Sequence, residues 1–290
     1  MFDTYYSNSD YSINYLHSKT DHNEAADFHL HNRFEVYFFI SGNVNYFIEK
    51  KVYPLKYGDL FVMNSHEIHK PSFVGSKTYE RIVVHFDPTI PQAFSAPCSD
   101  LLHCFLKRPI GEQNKIELST EQIRDLLNIY QKIEHYQKDS SEFARVLKLT
   151  AFIELLVFIN RAFIQSSRHD DRVNMPPKIA GILDYINQNL ENDLSLGHLE
   201  KQFFLNPSYL SRLFKKSTGS NLHQYIIYKR ISKAKKLLSE GHNASDTCFM
   251  CGFNDFSNFS RIFKRTVGIS LREFKREVRS GIYVDKELPS

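Results

Sequence analysis

Residues 209–225, YLSRLFKKSTGSNLHQY, recur in altered form as residues 258–274, NFSRIFKRTVGISLREF. At an offset of 49 residues, which aligns Tyr209 with Asn258, both copies have Ser, Arg, Phe, Lys, Gly and Leu at matching positions. In each copy the apolar residues recur at intervals of three and four, the pattern of an amphipathic helix with one buried face. The C-terminal half is therefore predicted to contain two copies of one helical unit.

Each copy is predicted to form the second helix of a helix-turn-helix unit. In the first unit Ser195 can cap a short helix, while Asn206 and Pro207 supply the N-cap and the first residue of the next one. The 18 residues 222–239 are predicted to form the helix between the units. A helix of that length spans about 27 Å, comparable with the roughly 34 Å between successive major-groove faces of a duplex. One chain is thus predicted to place two recognition helices in adjacent grooves.

Polar side chains are predicted to face away from the core of both units. The predicted core residues are Leu210, Leu213 and Phe214 in the first unit, and Phe256, Phe259, Ile262 and Phe263 in the second. The residues predicted to bind DNA are Ser208, Ser211, Arg212, Lys215, Ser257, Asn258, Arg261 and Lys264. Arg can pair with guanine, hydroxyls can bond to bases or phosphates, and Lys attracts phosphate. The alternative is a helical repeat packed for stability alone, or one that binds protein.

The charge is unevenly distributed along the chain. Residues 178–290 contain 18 Lys plus Arg against 11 Asp plus Glu, a balance of +7, whereas the first 177 residues contain 19 against 22, a balance of −3. Positive charge concentrated around the repeat is what binding to a polyanion requires. The total of 290 residues is enough for two globular domains, each with its own core.

Targeting and cysteine patterns point to a cytoplasmic protein. The first residues, MFDTYYSNSDYSINYL, lack the basic start and apolar run of a secretory signal, and the longest apolar stretch, FIELLVFI, is too short to span a bilayer. Cys98, Cys104, Cys248 and Cys251 are too few and too scattered for a disulfide framework. They are predicted to be ordinary reduced residues, and no membrane partner is expected.

The C-terminal region resembles the DNA-binding domain of the AraC/XylS family of bacterial transcription regulators. The resemblance covers residues 178–280 and rests on the segments PSYLSRLFKKSTG, YIIYKRISKAKKLL and CGFNDFSNFSRIFKRTVGISLREFKR. It implies that residues of both recognition helices approach DNA bases, and that the partners are double-stranded DNA, a small-molecule effector and RNA polymerase. Glu200, Cys248 and Leu271 depart from the family's usual residues, which bears on local helix packing.

The N-terminal region is predicted to be a small antiparallel β-domain. EVYFFI, VNYFIE, DLFVM and RIVVHF are short β-branched or aromatic runs, separated by the turn-like segments SG, YPLKYG and PSFVGSK. The segment FHLHNRFEVYFFISG has the spacing His29-x-His31-x3-Glu35-x6-Gly42, which resembles the first motif of cupin barrels. A cupin-like sensor joined to an AraC-type domain is a common layout in that family, so the resemblance implies a ligand-sensing barrel.

The same residues are predicted to form a pocket. On a strand His29, His31 and Glu35 would share the inward face, and His69, from a segment that resembles the second cupin motif, could join them. The favoured occupant is an organic effector without a cofactor, and the alternative is a divalent ion such as Zn, Fe, Ni or Mn.

Arg81, Val83 and His85 alternate along another candidate strand, so Arg81 and His85 could share one face. If that face is inward, Arg81 could bind a carboxylate or sugar hydroxyls, and the alternative is an arginine that faces solvent. Carbohydrate is the effector class that the family resemblance implies.

A helical period begins at Ser119 and predicts a hairpin of two apolar helices, the second from Phe143 to Ile164. Such a hairpin needs a partner surface, either the barrel or a second copy of the chain, so a homodimer is predicted. The predicted domains are a cupin-like sensor at 1–110, a dimerisation hairpin at 111–166, a linker at 167–177, a double helix-turn-helix domain at 178–280 and a tail at 281–290.

The predicted protein is multidomain, with an antiparallel cupin-like barrel and helical hairpin followed by an all-α double helix-turn-helix. Its predicted function is that of a ligand-responsive, sequence-specific transcription regulator, an activator of a catabolic operon, without enzymatic activity. Two alternatives stay open at this point. One is a metal-binding cupin enzyme that carries a DNA-binding domain, and the other is a constitutive architectural DNA-binding protein.

Overall fold

The computed structural model describes residues 13–22, 28–74, 77–95, 100–166 and 175–279. Within them a β-rich region with a helical hairpin is followed by an all-helical region, so the predicted fold class is confirmed. Most of the predicted linker, all of the predicted tail and Cys98 lie outside the described residues. No helix in the described ranges is long and apolar enough to cross a membrane.

The strands of the N-terminal region form two antiparallel sheets. The strands are β1 (Ile13–His22), β2 (Phe34–Ser41), β3 (Val44–Ile48), β4 (Lys51–Pro54), β5 (Leu60–Met63), β6 (His69–Phe73), β7 (Lys77–Phe86) and β8 (Lys115–Ile116). The larger sheet has the order β1-β7-β2-β5-β8, and the smaller one has the order β4-β3-β6. Aromatic residues such as Tyr37, Tyr46 and Phe61 fill the space between them.

Two of the predicted turns are wrong, because they fall in part on strands. Pro54 ends β4, and Pro71 lies inside β6, opposite Tyr46. Both strands are edges of the smaller sheet, and an edge strand tolerates a proline because one side of it makes no ladder bonds. The ten-residue β1, an edge strand of the larger sheet with a largely polar sequence, was also not predicted.

The predicted helical hairpin is present. After two four-residue helices, α1 (Thr89–Gln92) and α2 (His103–Leu106), it consists of α3 (Thr120–Lys138) and α4 (Ala144–Gln165). A capping box between Ser119 and Gln122 begins α3. One face of the hairpin packs on the larger sheet, where Leu126 and Phe152 are fully buried. The sheet also includes β8, which lies within the range predicted for the hairpin.

All secondary-structure elements in the described part of the C-terminal region are helices. Its helices are α5 (Pro177–Gln188), α6 (Leu196–Phe203), α7 (Pro207–Thr218), α8 (Leu222–Ser239), α9 (Ala244–Met250), α10 (Phe256–Val267) and α11 (Leu271–Arg279). The side chains of Ser195 and Asn206 cap α6 and α7, as predicted. Phe256 was predicted in the core but is 43% exposed, because it is the first residue of α10 and precedes the turn that packs.

Candidate ligand pocket and nucleic-acid interface

A cavity of about 180 Å³ opens between the two sheets of the N-terminal region. Its polar lining includes His29, His31, Glu35, His69, Arg81 and His85. The strand pairing explains part of this arrangement, because Glu35 of β2 lies directly opposite His85 of β7. His69 begins β6 in the smaller sheet, so the cluster joins both sheets.

Three imidazoles surround one carboxylate oxygen in this cavity. The Nε2 atoms of His31, His69 and His85 lie 3.0, 3.1 and 2.9 Å from Glu35 Oε2. The side chains of Glu35 and His69 are 5% and 1% exposed. The structure therefore brings together three of the four residues predicted from the cupin-like spacing, and adds His85, which was not in the predicted set.

His29 lines the same cavity without joining this cluster. It lies before β2, in an isolated bridge with His69, and its side chain is exposed. The expectation that His29, His31 and Glu35 alternate on one strand is wrong, because β2 begins only at Phe34. The predicted alternation of residues 81, 83 and 85 on one strand is confirmed, since all three lie on β7 and line the cavity, although His85 was not assigned to the predicted ligand set.

Burial and mutual contacts set the protonation of the cluster. Burial lowers the pKa of His31 to about 4, against an opposing hydrogen bond to Glu35. Burial alone would raise the pKa of Glu35, but the charge of His69 and the hydrogen bonds from the imidazoles hold it well below its ordinary value. Burial opposes the charge on His69, and the contact with Glu35 nevertheless raises the pKa of this ring above its ordinary value. The contact between the two groups therefore favours the ionised form of Glu35 and the charged form of His69.

Tyrosines and one arginine complete the polar lining. The hydroxyls of Tyr37 and Tyr79 lie 2.6 Å apart, and the Tyr46 hydroxyl donates to Glu35 Oε1 at 3.4 Å. Arg81 places its guanidinium 4.4 Å from the centre of the Tyr79 ring. Its Nη1 atom is buried and has no hydrogen-bond partner in the described part of the chain. Of the two orientations considered for Arg81, the structure has the inward one.

The second candidate site is the exposed face of α7 and α10. Of the residues predicted to contact DNA, Ser211 is half-buried and the others are exposed, namely Ser208, Arg212, Lys215, Ser257, Asn258, Arg261 and Lys264. Arg261 Nη2 donates to Asn258 Oδ1 at 2.9 Å, which holds both side chains on one side of α10. Lys216 and Arg265 add exposed cations that were not in the predicted set. This face offers phosphate-binding and base-reading groups together.

The two regions of the chain share an apolar core. Phe28, Phe47 and Ile68 of the N-terminal region belong to the same buried cluster as the helices of the C-terminal region. The ring of Phe28 lies 5.9 Å from that of Tyr225 in α8. The ring of Phe47 lies 6.3 Å from Tyr225 as well. The N-terminal and C-terminal regions therefore pack directly against each other.

Lysines form the polar part of this contact. Lys235 in α8 is 0% exposed, and its Nζ donates to the carbonyls of His31 at 3.1 Å and Ser65 at 2.5 Å. Lys229 Nζ lies 2.7 Å from Glu49 Oε2. In the opposite direction, Lys70 Nζ of β6 donates to Gly219 O at 2.8 Å, at the end of α7. Part of the positive charge attributed to DNA binding thus serves the contact between the regions.

Comparisons with known proteins match both regions of the chain. A family model described as a helix-turn-helix domain matches residues 199–277, and one described as an AraC-like ligand binding domain matches residues 14–156. The HTH-type transcriptional activator RhaR of Mannheimia succiniciproducens is 21% identical over 248 residues, covering 85% of this chain and 86% of its own. RhaR of Cronobacter sakazakii is 23% identical over 254 residues, covering 86% of both chains.

The match to another relative covers a shorter part of the chain. The probable transcriptional regulator LumQ of Photobacterium leiognathi is 35% identical over 97 residues, which is 33% of this chain and 39% of its own. The ligand-binding model covers the domain that encloses the pocket, and the helix-turn-helix model covers both recognition helices. The chain belongs to the AraC family of transcription regulators, with an N-terminal ligand-binding domain and a C-terminal DNA-binding domain.

Proposed function

We propose that this chain is an activator of transcription in which an effector bound in the pocket changes how the first recognition helix is held. The observation that carries this proposal is the short path between the two sites. His31 and His69 line the pocket, and the His31 carbonyl accepts from Lys235 of α8. Lys70, the residue after His69, binds the end of α7. Two RhaR relatives are named activators, which supports the direction of the response.

Strand β6 is proposed to couple the pocket to the DNA-binding region, because its side chains point alternately toward one and the other. His69 and Pro71 line the pocket, whereas Lys70 contacts Gly219 and Ser220 of the DNA-binding region. A displacement of β6 on the pocket side is therefore transmitted to the end of α7 across the thickness of one strand. An effector shifts the balance between two arrangements by its difference in affinity for them.

The exposed polar faces of α7 and α10 are proposed to read bases in two major grooves. The helix between them, α8, has the predicted 18 residues. At about 27 Å it roughly matches the advance of one turn of the duplex. We propose that Arg212 and Arg261 each contact one element of the site, with Lys215 and Lys264 on phosphates.

The remaining partners follow from the surface and the family. One face of α4 leaves Phe143, Val146, Leu147, Val157 and Ile164 between 40% and 70% exposed. We propose that this face pairs two chains, which would bring four recognition helices to one promoter and raise avidity. RNA polymerase is the proposed partner of the bound activator, and the cytoplasm is its proposed location. We propose no enzymatic activity, and carbohydrate stays the effector class expected from the family.

Selection of bound sequences from a random duplex library tests this function with the full-length chain. The expected product is a site with two short elements about one helical turn apart. Arg212→Ala should relax preference at one element and Arg261→Ala at the other. Recovery of no preferred sequence would contradict the proposal and favour a constitutive architectural DNA-binding protein.

A further inference from the structure

We propose that the pocket holds a divalent transition-metal ion at His31, Glu35, His69 and His85, and that the effector is a small carboxylate that completes the ion's coordination and pairs with Arg81. The inference rests on the proposed function, because it takes the pocket to be the effector site. It replaces the predicted neutral sugar with an acid that offers a second oxygen donor beside its carboxylate.

In His31 and His69, the hydrogen bond made by Nδ1 determines that Nε2 faces Glu35. His31 Nδ1 lies 2.8 Å from the Arg33 carbonyl oxygen, and His69 Nδ1 lies 2.9 Å from the Glu67 carbonyl oxygen. A carbonyl only accepts, so each Nδ1 carries its proton and donates it. In the neutral ring the Nε2 atom then has a free lone pair. This is how metal-ligating histidines are commonly oriented by the groups around them.

Pairing an ionised Glu35 with a charged His69 leaves the contact between Glu35 and His31 unsatisfied. With neutral rings, the Nε2 lone pairs of His31 and His69 face Glu35 Oε2 at 3.0 and 3.1 Å, acceptor against acceptor. Protonation of His69 alone turns its Nε2 atom into a donor, but His31 Nε2 still presents a lone pair to Glu35 Oε2. With all three rings protonated, three positive charges would surround one negative charge in a largely buried site, which is costly. A divalent ion accepts the lone pairs and balances the carboxylate.

The donor set suits such an ion. The ligand atoms of His31, Glu35 and His69 lie within 4.8 Å of one another, so they can converge on one ion without movement of the strands. His85 Nε2 adds a fourth donor from β7, 2.9 Å from Glu35 Oε2. Imidazole and carboxylate donors together suit zinc, manganese, iron or nickel, and an octahedral ion would keep open positions after four protein ligands.

The position of Arg81 indicates that the effector bound beside the ion is a carboxylate. It lies on the same face of β7 as His85, so its guanidinium and the imidazole cluster line the same cavity. The buried, unpartnered Nη1 atom needs an acceptor, and a guanidinium binds a carboxylate through two parallel hydrogen bonds. A neutral sugar would leave this charge without a counter-ion. A carboxylate with a neighbouring oxygen can bind Arg81 and the ion at once.

Cobalt binding tests the metal site in the full-length chain after chelator treatment. Co²⁺ titration followed by visible absorption and equilibrium dialysis should show one ion per chain and histidine coordination. His85→Ala should weaken Co²⁺ binding by at least about tenfold. His135→Ala, at an exposed position of α3, serves as the matched control and should bind like the wild type. Absence of saturable binding, or equal affinity in His85→Ala and His135→Ala, would overturn the metal site.

Oxalate is the probe for the carboxylate, because it is a small acid with two adjacent oxygen donors. It should change the absorption of the cobalt-loaded chain and bind with one site by calorimetry. Arg81→Gln should weaken oxalate binding about tenfold or more, whereas Arg124→Gln on α3 should not. Binding of D-xylose to the metal-free chain, with no binding of oxalate, would overturn the inference and assign the pocket to a neutral sugar.

The two proposals can fail separately. Sequence-selective DNA binding by a chain that binds neither cobalt nor oxalate refutes the metal and the acid and leaves the regulator intact. A cobalt-binding chain that selects no DNA sequence refutes the proposed function, while the metal site stands by itself.

Discussion

The two recognition helices carry nearly the same exposed residues but end in different surroundings. Gly219 follows α7 and Gly268 follows α10, and both glycines are left-handed, with φ of 72° and 89°. A Cβ atom added at Gly219 would lie 2.5 Å from Ser72 Oγ of the sensor strand β6, whereas one added at Gly268 would meet nothing within 4 Å. The two copies are alike in sequence, but within the described residues only the first is held directly by β6, the strand that carries His69 of the pocket.

Because of this difference, the two helix-turn-helix units are expected to depend on the effector to different degrees. The end of α7 receives hydrogen bonds from Lys70, so its position depends on the sensor. The second unit is joined to the first through α8, where Lys235 binds the His31 carbonyl. The first unit is therefore expected to respond to the effector, and the second to supply affinity that changes less.

The largest expected effect is that of removing the buried amine of α8. Lys235→Met leaves two buried carbonyls, those of His31 and Ser65, without this donor. The expected loss is about 2–6 kcal/mol, since each of the two unpaired buried groups costs about 1–3 kcal/mol. Lys233→Met is the matched control, because Lys233 is 31% exposed and forms a surface pair with Glu191. Thermal melting of both variants measures the difference, and similar melting temperatures would count against a structural role for Lys235.

The paired glycines give the next largest effect. Each alanine substitution costs about 1–2 kcal/mol, because a Cβ atom disfavours the left-handed conformation. Gly219→Ala should cost about 1–3 kcal/mol more than Gly268→Ala, since overpacking against Ser72 adds to the strain. Thermal unfolding of the two variants measures the difference. Equal losses would mean that the end of α7 is as free as that of α10.

The recognition helices themselves should show smaller and more specific losses. Arg212→Ala and Arg261→Ala are each expected to cost about 1–3 kcal/mol of DNA affinity. Footprinting on the selected site should show the two losses at different base positions, with the Arg212 loss varying with effector and the Arg261 loss varying less. Protection lost at one common position by both variants would contradict the assignment of one groove to each helix.

The smallest expected effect concerns association of two chains. Val157→Glu places a charge in the exposed apolar face of α4, where Val157 is 43% exposed. It should weaken the proposed dimer by about 1–3 kcal/mol, with little change in melting of the separate chain. Light scattering across a concentration series measures this. A wild-type chain that stays monomeric at the highest concentration would remove α4 as a dimer face.

Local sequence signals predicted the helices well and the sheets less well. Ser195, Asn206 and Pro207 mark helix ends through their own backbone chemistry, so α6 and α7 begin where predicted. Pro71 suggested a turn, because a proline is tolerated in a strand chiefly at the edge of a sheet. The position of β6 at an edge depends on the pairing of distant strands, which the local sequence does not show. Edge strands with polar sequences, such as β1, carry little local signal.

In the candidate sites, too, the features set by local sequence were predictable and those set by distant contacts were not. The faces of α7 and α10 follow from helical periodicity, so their exposed residues could be chosen from the sequence. His85 joins Glu35 only through the register of β2 and β7, which is non-local. Lys229 and Lys235 could not be told from DNA-binding lysines, because burial against the sensor is decided by how the two regions pack.

Hydrogen exchange at the ends of the two recognition helices tests the coupling of pocket and first unit most directly. His69→Ala alters the pocket side of β6, next to Lys70, and should speed exchange of the amides at 219–221. The matching amides at 268–270 serve as an internal control and should change little. Faster exchange confined to the first unit is the predicted result. Equal change at both ends, or no change at 219–221, would contradict the claim that the pocket strand holds α7.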